Sequence, residues 1–199
     1  MRKLLIATRN EKKMPGLLAG LKDIPFRVIS LNDTYIPENF TVEEPGSTYE
    51  AHAAIKAFTY GKRAGMLTLA EDSGIEVDAL GGWPGVYSAT HKEGSDADRM
   101  MELLAKLKGV PESERGAQYR STIAIYDPVN DKVRFAEGTT RGRITTEPHG
   151  DDDFGYNPVF FSDDLQQIFG EATFEEKVRV SHRTRAVQKA REVLLKEFV

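Results

Sequence analysis

Cysteine is absent from the 199 residues, which removes disulfide scaffolds, thiolate zinc sites and cysteine nucleophiles from consideration. Glycine-rich phosphate signatures are missing too. With neither a Walker loop nor a GxGxxG, the standard phosphate-loop and dinucleotide readings have no support. The apolar run Leu4 to Ala7 is too short for a signal-peptide core or a membrane span, so a cytoplasmic protein without membrane contact is expected. No repeat, low-complexity tract or Pro/Gly-rich linker divides the chain. Four scattered histidines argue against a histidine-rich metal site, and no Ser, His and acid spacing marks a nucleophilic triad. An excess of positive charge is lacking as well: the formal net charge of -4 speaks against a nucleic-acid partner, although a small polyanion needs only a local basic cleft.

What remains is ordinary globular material. The length suits a single domain over 1–199, or two closely packed lobes, with a continuous core. Lys3 to Ala7 reads as a buried strand, Thr8 to Lys13 as a polar turn and Met14 to Leu21 as a helix. Phe26 to Ser30 is a second strand. Ser47-Thr48-Tyr49-Glu50 has the spacing of a capping box and predicts a helix to about Ala64. Met66 to Ala70 reads as a buried strand that meets a turn at Ser73-Gly74, and Ile75 to Leu80 as a short extended piece. Ser95 to Lys108 has helical apolar spacing. Gln118 to Tyr126 and Lys132 to Glu137 read as paired antiparallel strands joined at Asp127-Pro128-Val129-Asn130, and Arg183 to Glu197 as a final helix. The intermixed elements predict a mixed α/β fold with a partly antiparallel sheet.

Several clusters can carry chemistry. Thr8, Arg9, Asn10, Lys12 and Lys13 sit near a helix start, where free amides and the helix dipole attract phosphate; a solvated basic turn is the competing reading. Glu71 and Asp72 stand at a strand end, where carboxylates can face a cleft without being buried in the core; they serve either a magnesium site or an exposed acidic turn. Adjacent strand residues point to opposite faces, which predicts that the two divide their roles. Asp151-Asp152-Asp153 reads as a solvated acidic loop ahead of a cation site. Phe154 and Tyr156 flank Gly155, where a ring can stack on a base or pack in the core. Ser181-His182-Arg183 precedes the last helix as a ligand contact or a helix cap.

Taken in order, these segments resemble the Ham1-like inosine triphosphate pyrophosphatase family, the non-canonical purine nucleotide pyrophosphatases. The residues that carry the resemblance are Ala7-Thr8-Arg9-Asn10 with Lys13, Ile55-Lys56-Ala57, Glu71-Asp72-Ser73-Gly74, Leu80 through Ala89, Phe154-Gly155-Tyr156-Asn157-Pro158-Val159-Phe160, and Glu176-Lys177 with Ser181-His182-Arg183. The resemblance implies two lobes around a central cleft, a homodimer, and hydrolysis of ITP, dITP and XTP to monophosphate and pyrophosphate with one or more Mg2+ per subunit. It assigns Asp72 and Lys13 to catalysis, Glu71 and Asp72 to the metal, and Thr8, Asn10, Lys56 and Ser73 to substrate. Phe154, Gly155, Tyr156, Asn157, Lys177, Ser181, His182 and Arg183 would hold the purine base and read its 6-keto group.

Four positions depart from the family pattern. Ala51 and His52 stand where a Glu-Asn pair is usual, the glutamate being a metal ligand. Asn157 replaces an aspartate, Thr90 an arginine and Gly16 a glutamate. Metal binding through Glu71 and Asp72 with more water or substrate ligation, and weaker affinity, is therefore expected. The departures also leave open a divergent nucleotide-binding member with weak or altered substrate specificity.

Overall fold

In the computed structural model, which describes all residues from Met1 to Val199, β1 (Arg2–Ile6) buries Leu4, Leu5 and Ile6 completely. A strand covered on both faces needs such a continuous apolar run. It pairs in parallel with β2 (Phe26–Ser30) and with β3 (Leu67–Val77). The crossovers carry α1 (Met14–Gly20) and α2 (Tyr49–Ala64). β4 (Gly116–Asp127) and β5 (Lys132–Ile144) are neighbours linked by residues 128–131. So short a link permits only an antiparallel return. β6 (Phe160–Ser162) and β7 (Gln167–Ile168) add antiparallel strands after β5. The strand order is β2-β1-β3-β4-β5-β6-β7, the mixed sheet that the sequence predicts. No helix is long and apolar enough to cross a membrane.

The chain forms two compact units. Unit 1 comprises Met1–Asp72, Ser121–Gly138 and Arg183–Val199, and it has apolar clusters on both faces of its strands. Leu4, Ile6, Leu67, Leu69, Ile123 and Ile125 pack with Leu17 of α1 and with Ala186, Val187, Ala190 and Leu194 of α5 (His182–Glu197). Their strand neighbours Leu5, Ala70 and Ala124 face Ala53, Ala57 and Tyr60 of α2. This alternation is the two-residue period of extended chain. Gly61 lets α2 approach closely, since a Cβ there would lie 2.7 Å from the Tyr126 ring and 3.1 Å from Thr68 Oγ1.

Unit 2 comprises Ser73–Arg120 and Thr139–His182. Its core joins Ile75, Val77, Tyr119 and Ile144 of the strands to Met100, Leu103 and Leu107 on and after α3 (Asp96–Lys106), and to Phe160 and Phe169. Arg115 is buried here, donating to the backbone carbonyls of Leu107 and Thr145 at 3.0 Å each and of Val110 at 2.9 Å. It thereby ties the end of α3 to the loop that follows it and to the chain after β5.

Three local expectations change. β3 does not stop before Ser73-Gly74 but runs unbroken to Val77, because Ile75 and Val77 continue the buried alternation. The cap of α2 is Thr48, not Ser47: its extended backbone and its hydroxyl, which accepts from the Ala51 amide at 3.1 Å, place the helix start one residue later. Glu50 therefore falls outside the capping box. The third change is an addition, since β6, β7 and α4 (Phe174–Val180) have no counterpart in the sequence reading. They are too short to show a period.

Because α2 carries His52 and Lys56, its cap fixes where those side chains begin. Thr48→Ala should lower stability by about 1 kcal/mol, measured by urea unfolding, with the transition remaining cooperative.

Candidate active site

Glu71 and Asp72 occupy consecutive positions in β3, and both are buried, at 4% and 8% exposure. The reading of an exposed acidic turn is thus overturned. Their opposed directions are as expected, and each finds a different set of partners. Lys13, the residue that opens α1, places Nζ 2.8 Å from Glu71 Oε2. Ser121 Oγ donates to Glu71 Oε1 at 3.0 Å, and Arg183 Nε lies 3.2 Å from that same oxygen. A buried carboxylate is stable as an anion only when its oxygens are matched in this way.

Asp72 turns to α2. Lys56 Nζ is 2.8 Å from Asp72 Oδ1 and 2.9 Å from Glu44 Oε2. His52 Nδ1 lies 3.3 Å from both Asp72 Oδ2 and Glu44 Oε2, while its other ring nitrogen meets the Gly46 carbonyl at 2.7 Å. No hydrogen bond reaches Asp72 Oδ2, although the atom is buried. Burial raises the Asp72 pKa above the usual aspartate value, and the nearby ammonium groups of Lys56 and Lys13 recover only part of that shift. For Lys56, burial works against the charged form, but Asp72 and Glu44 outweigh it and hold its pKa above the ordinary lysine value.

Glu44, His52 and Asp72 form a group whose ligand atoms lie within 4.8 Å of one another. Glu71 lies outside it, engaged with Lys13, Ser121 and Arg183. Sequence reasoning missed Glu44 and Ser121. Glu44 sat in a proline-bearing polar loop, and its only signal was a position shortly before the start of α2. Thr8 and Asn10 make a local turn in which the Asn10 amide donates to Thr8 Oγ1 at 3.1 Å. Gly16 leaves room for Arg183, whose Cδ would be 3.2 Å from a Cβ at that position.

Unit 2 gathers the remaining candidates, namely Ser73, Phe154, Gly155, Tyr156, Asn157, Lys177, Ser181 and His182. Arg183 is separated from them and falls in unit 1. Asp152, expected in a solvated loop, instead organises this group. It accepts from the Phe154 amide at 3.0 Å and from Asn157 Nδ2 at 2.9 Å, and it pairs with Lys177. Partial burial opposes its charge, but these donors prevail and hold its pKa below the usual aspartate value. Asn157 Oδ1 accepts from the Tyr119 hydroxyl at 3.3 Å, so its amide is used at both ends. The His182 ring stacks on Tyr119, with centroids 4.6 Å apart and planes within 10°. The Gly155 amide donates to Asp96 at 2.9 Å, and the buried Tyr156 hydroxyl donates to the Ser88 carbonyl at 2.8 Å. Ser181 closes α4, and its amide donates to the Lys177 carbonyl at 2.8 Å.

Lys56→Met should move the Asp72 carboxyl pKa further upward, because it removes the nearest cation; a carbon-detected NMR titration of the metal-free protein measures this. Asn157→Asp would set a second carboxylate against Asp152, raising the pKa of the pair in the folded state. Stability should then fall by about 1–2 kcal/mol at neutral pH. It should recover as the pH drops below the raised value, where one carboxyl is protonated. Urea unfolding at pH 7 and pH 5 would check the sign.

Comparison with known proteins identifies the relatives. Residues 4–193 match the model of the Ham1 family. A dITP/XTP pyrophosphatase of Bacillus licheniformis is 42% identical over 192 residues, covering 95% of this chain and 96% of the relative. One from Desulforamulus reducens is 40% identical over 199 residues, covering 99% and 98%. Among solved structures, a HAM1 protein from Coxiella burnetii superposes with a TM-score of 0.88 at 32% identity, covering 98% of this chain and 100% of that one. The Staphylococcus aureus Ham1 protein gives 0.85 at 32% identity, with coverage of 98% and 100%. Matched along nearly its whole length, the chain belongs to the Ham1 family.

Proposed function

We propose that the protein hydrolyses the non-canonical purine nucleoside triphosphates ITP, dITP and XTP to the monophosphate and pyrophosphate, removing them from the nucleotide pool. The observation that carries this reading is the pair of consecutive buried carboxylates, each with its own lysine. Its relatives bear the name dITP/XTP pyrophosphatase, and the chemistry of the named residues suits the reaction. Asp72 is buried and has a raised pKa, so its carboxyl would orient the attacking water and take up its proton. Lys13, Lys56, Thr8, Asn10 and Ser73 would hold the triphosphate, with the lysine ammoniums offsetting its charge.

The donor set at Asp72 fits a divalent cation, magnesium being the one expected from the sequence, with one or more per subunit. Asp72, with His52 and Glu44, would hold it; Glu71, a metal ligand by the family resemblance, lies outside this group with Lys13, Ser121 and Arg183 as its partners. When bound, the cation neutralises phosphate charge and favours departure of pyrophosphate. In unit 2, Phe154 would stack on the base, while Gly155, Tyr156 and Asn157 shape the turn that holds it. Lys177, Ser181, His182 and Arg183 would read the purine keto oxygen. An adenine amino group would leave those donors unpaired, which gives strong discrimination.

The same reading has the protein act in the cytoplasm as a homodimer, without nucleic acid or membrane. A second reading, a family member with weak or altered turnover, is favoured by Ala51, an exposed methyl where a ligand glutamate is usual.

Pyrophosphate release from ITP, XTP, ATP, GTP and TTP, with and without divalent cation, tests the proposal. Preference for ITP and XTP with strict cation dependence is expected. Asp72→Asn should lower kcat by about 10²–10⁴-fold. Equal rates on ATP would sink the substrate assignment. A large gain in turnover from Ala51→Glu would favour the second reading.

A further inference from the structure

Lys56 brings one ammonium to two carboxylates, Asp72 and Glu44, and the imbalance falls where His52 stands. The Gly46 carbonyl, 2.7 Å from His52 Nε2, can only accept, so that nitrogen carries a proton. In the neutral ring the Nδ1 lone pair then faces Glu44 Oε2 and Asp72 Oδ2, each 3.3 Å away. Glu44 Oε2 accepts from Lys56 at 2.9 Å, but Asp72 Oδ2 is buried without a hydrogen bond, so it and the imidazole nitrogen converge on the same point with no donor between them. Opposed ligands of one cation stand about 4–5 Å apart, which spans the separation of up to 4.8 Å found within this group.

From this convergence we infer that Glu44, His52 and Asp72 form a mixed nitrogen and oxygen cation site that selects a first-row transition-metal dication, such as manganese or cobalt, over magnesium. Magnesium favours oxygen ligands and holds its water tightly, whereas imidazole suits the transition metals. The carbonyl behind His52 is the usual support of a metal-binding histidine, fixing its tautomer and ring orientation. Asp72 and His52 are buried, while Glu44 is exposed and leaves a way in for the ion. The inference deepens the proposed function and rests on that reading only for the reaction the ion would serve.

The test uses metal alone, without nucleotide. Manganese is titrated into the full-length protein and followed by electron paramagnetic resonance of the free aqua ion. Magnesium is then added as competitor, and cobalt absorption together with paramagnetic broadening of the His52 ring signals reports the nitrogen ligand. One manganese per chain, displaced only by at least about tenfold more magnesium, is expected. His52→Asn should weaken manganese binding by about tenfold or more and bring the two metals towards parity. Glu44→Gln, a change at an exposed position, should weaken binding similarly and serves if His52→Asn does not fold by circular dichroism. The inference is overturned if manganese does not bind, if magnesium competes on equal terms, or if a folded His52→Asn protein keeps the preference. Metal selection without pyrophosphate release would instead remove the proposed function and leave the site standing.

Discussion

Two carboxylates in consecutive positions of a buried strand impose a demand on every element around them, because an unmatched buried charge costs several kcal/mol. β3 turns Glu71 to one side and Asp72 to the other, so one set of cations cannot serve both. The turn after β1 supplies Lys13, the start of α5 supplies Arg183 and β4 supplies Ser121 for Glu71. α2 supplies Lys56 for Asp72, and the loop before it brings Glu44. Unit 1 is in this sense built around the pair. The apolar alternation that positions its helices also sets which cation meets which carboxylate.

The match is uneven, and the unevenness is where chemistry becomes possible. Glu71 is met by donors on both oxygens, which fixes it as a charged strut. Asp72 is matched on one oxygen only, and its pKa rises through burial. Unit 2 uses the opposite arrangement. There Asp152 is satisfied by a backbone amide, a side-chain amide and a lysine, and its charge is held firmly. One unit leaves a carboxylate oxygen without a hydrogen bond while the other uses a carboxylate to hold polar groups in place.

Much of this was legible in the sequence. Long elements with a clear period, such as α2, α3 and α5, and the strands of continuous aliphatics announced themselves, and the alternation argument separated Glu71 from Asp72 in advance. What could not be read were relations between distant residues. Glu44 looks like any acid in a polar loop until α2 folds back beside it. Asp152 looks like one of three solvated aspartates until Lys177 and Asn157 meet it. The run Ser73-Gly74 carries turn residues, yet the buried Ile75 and Val77 overrule that local preference and keep the strand extended. The motif order pointed to the family, but Arg183, grouped by motif with His182, turns in the fold to Glu71.

Arg115 has a consequence of a different kind. Its guanidinium is buried among three carbonyl oxygens that lie in different directions, with no carboxylate among these partners. A planar fork with donors on three nitrogens can meet all three at once, whereas a single ammonium cannot keep the same geometry. Exchange for lysine would preserve the chain's charge, its isoelectric balance and its hydropathy, yet lose part of the three-way link among Leu107, Val110 and Thr145. The position therefore asks for a shape and not for a charge alone, and a substitution that looks neutral by every compositional measure would be felt in the fold.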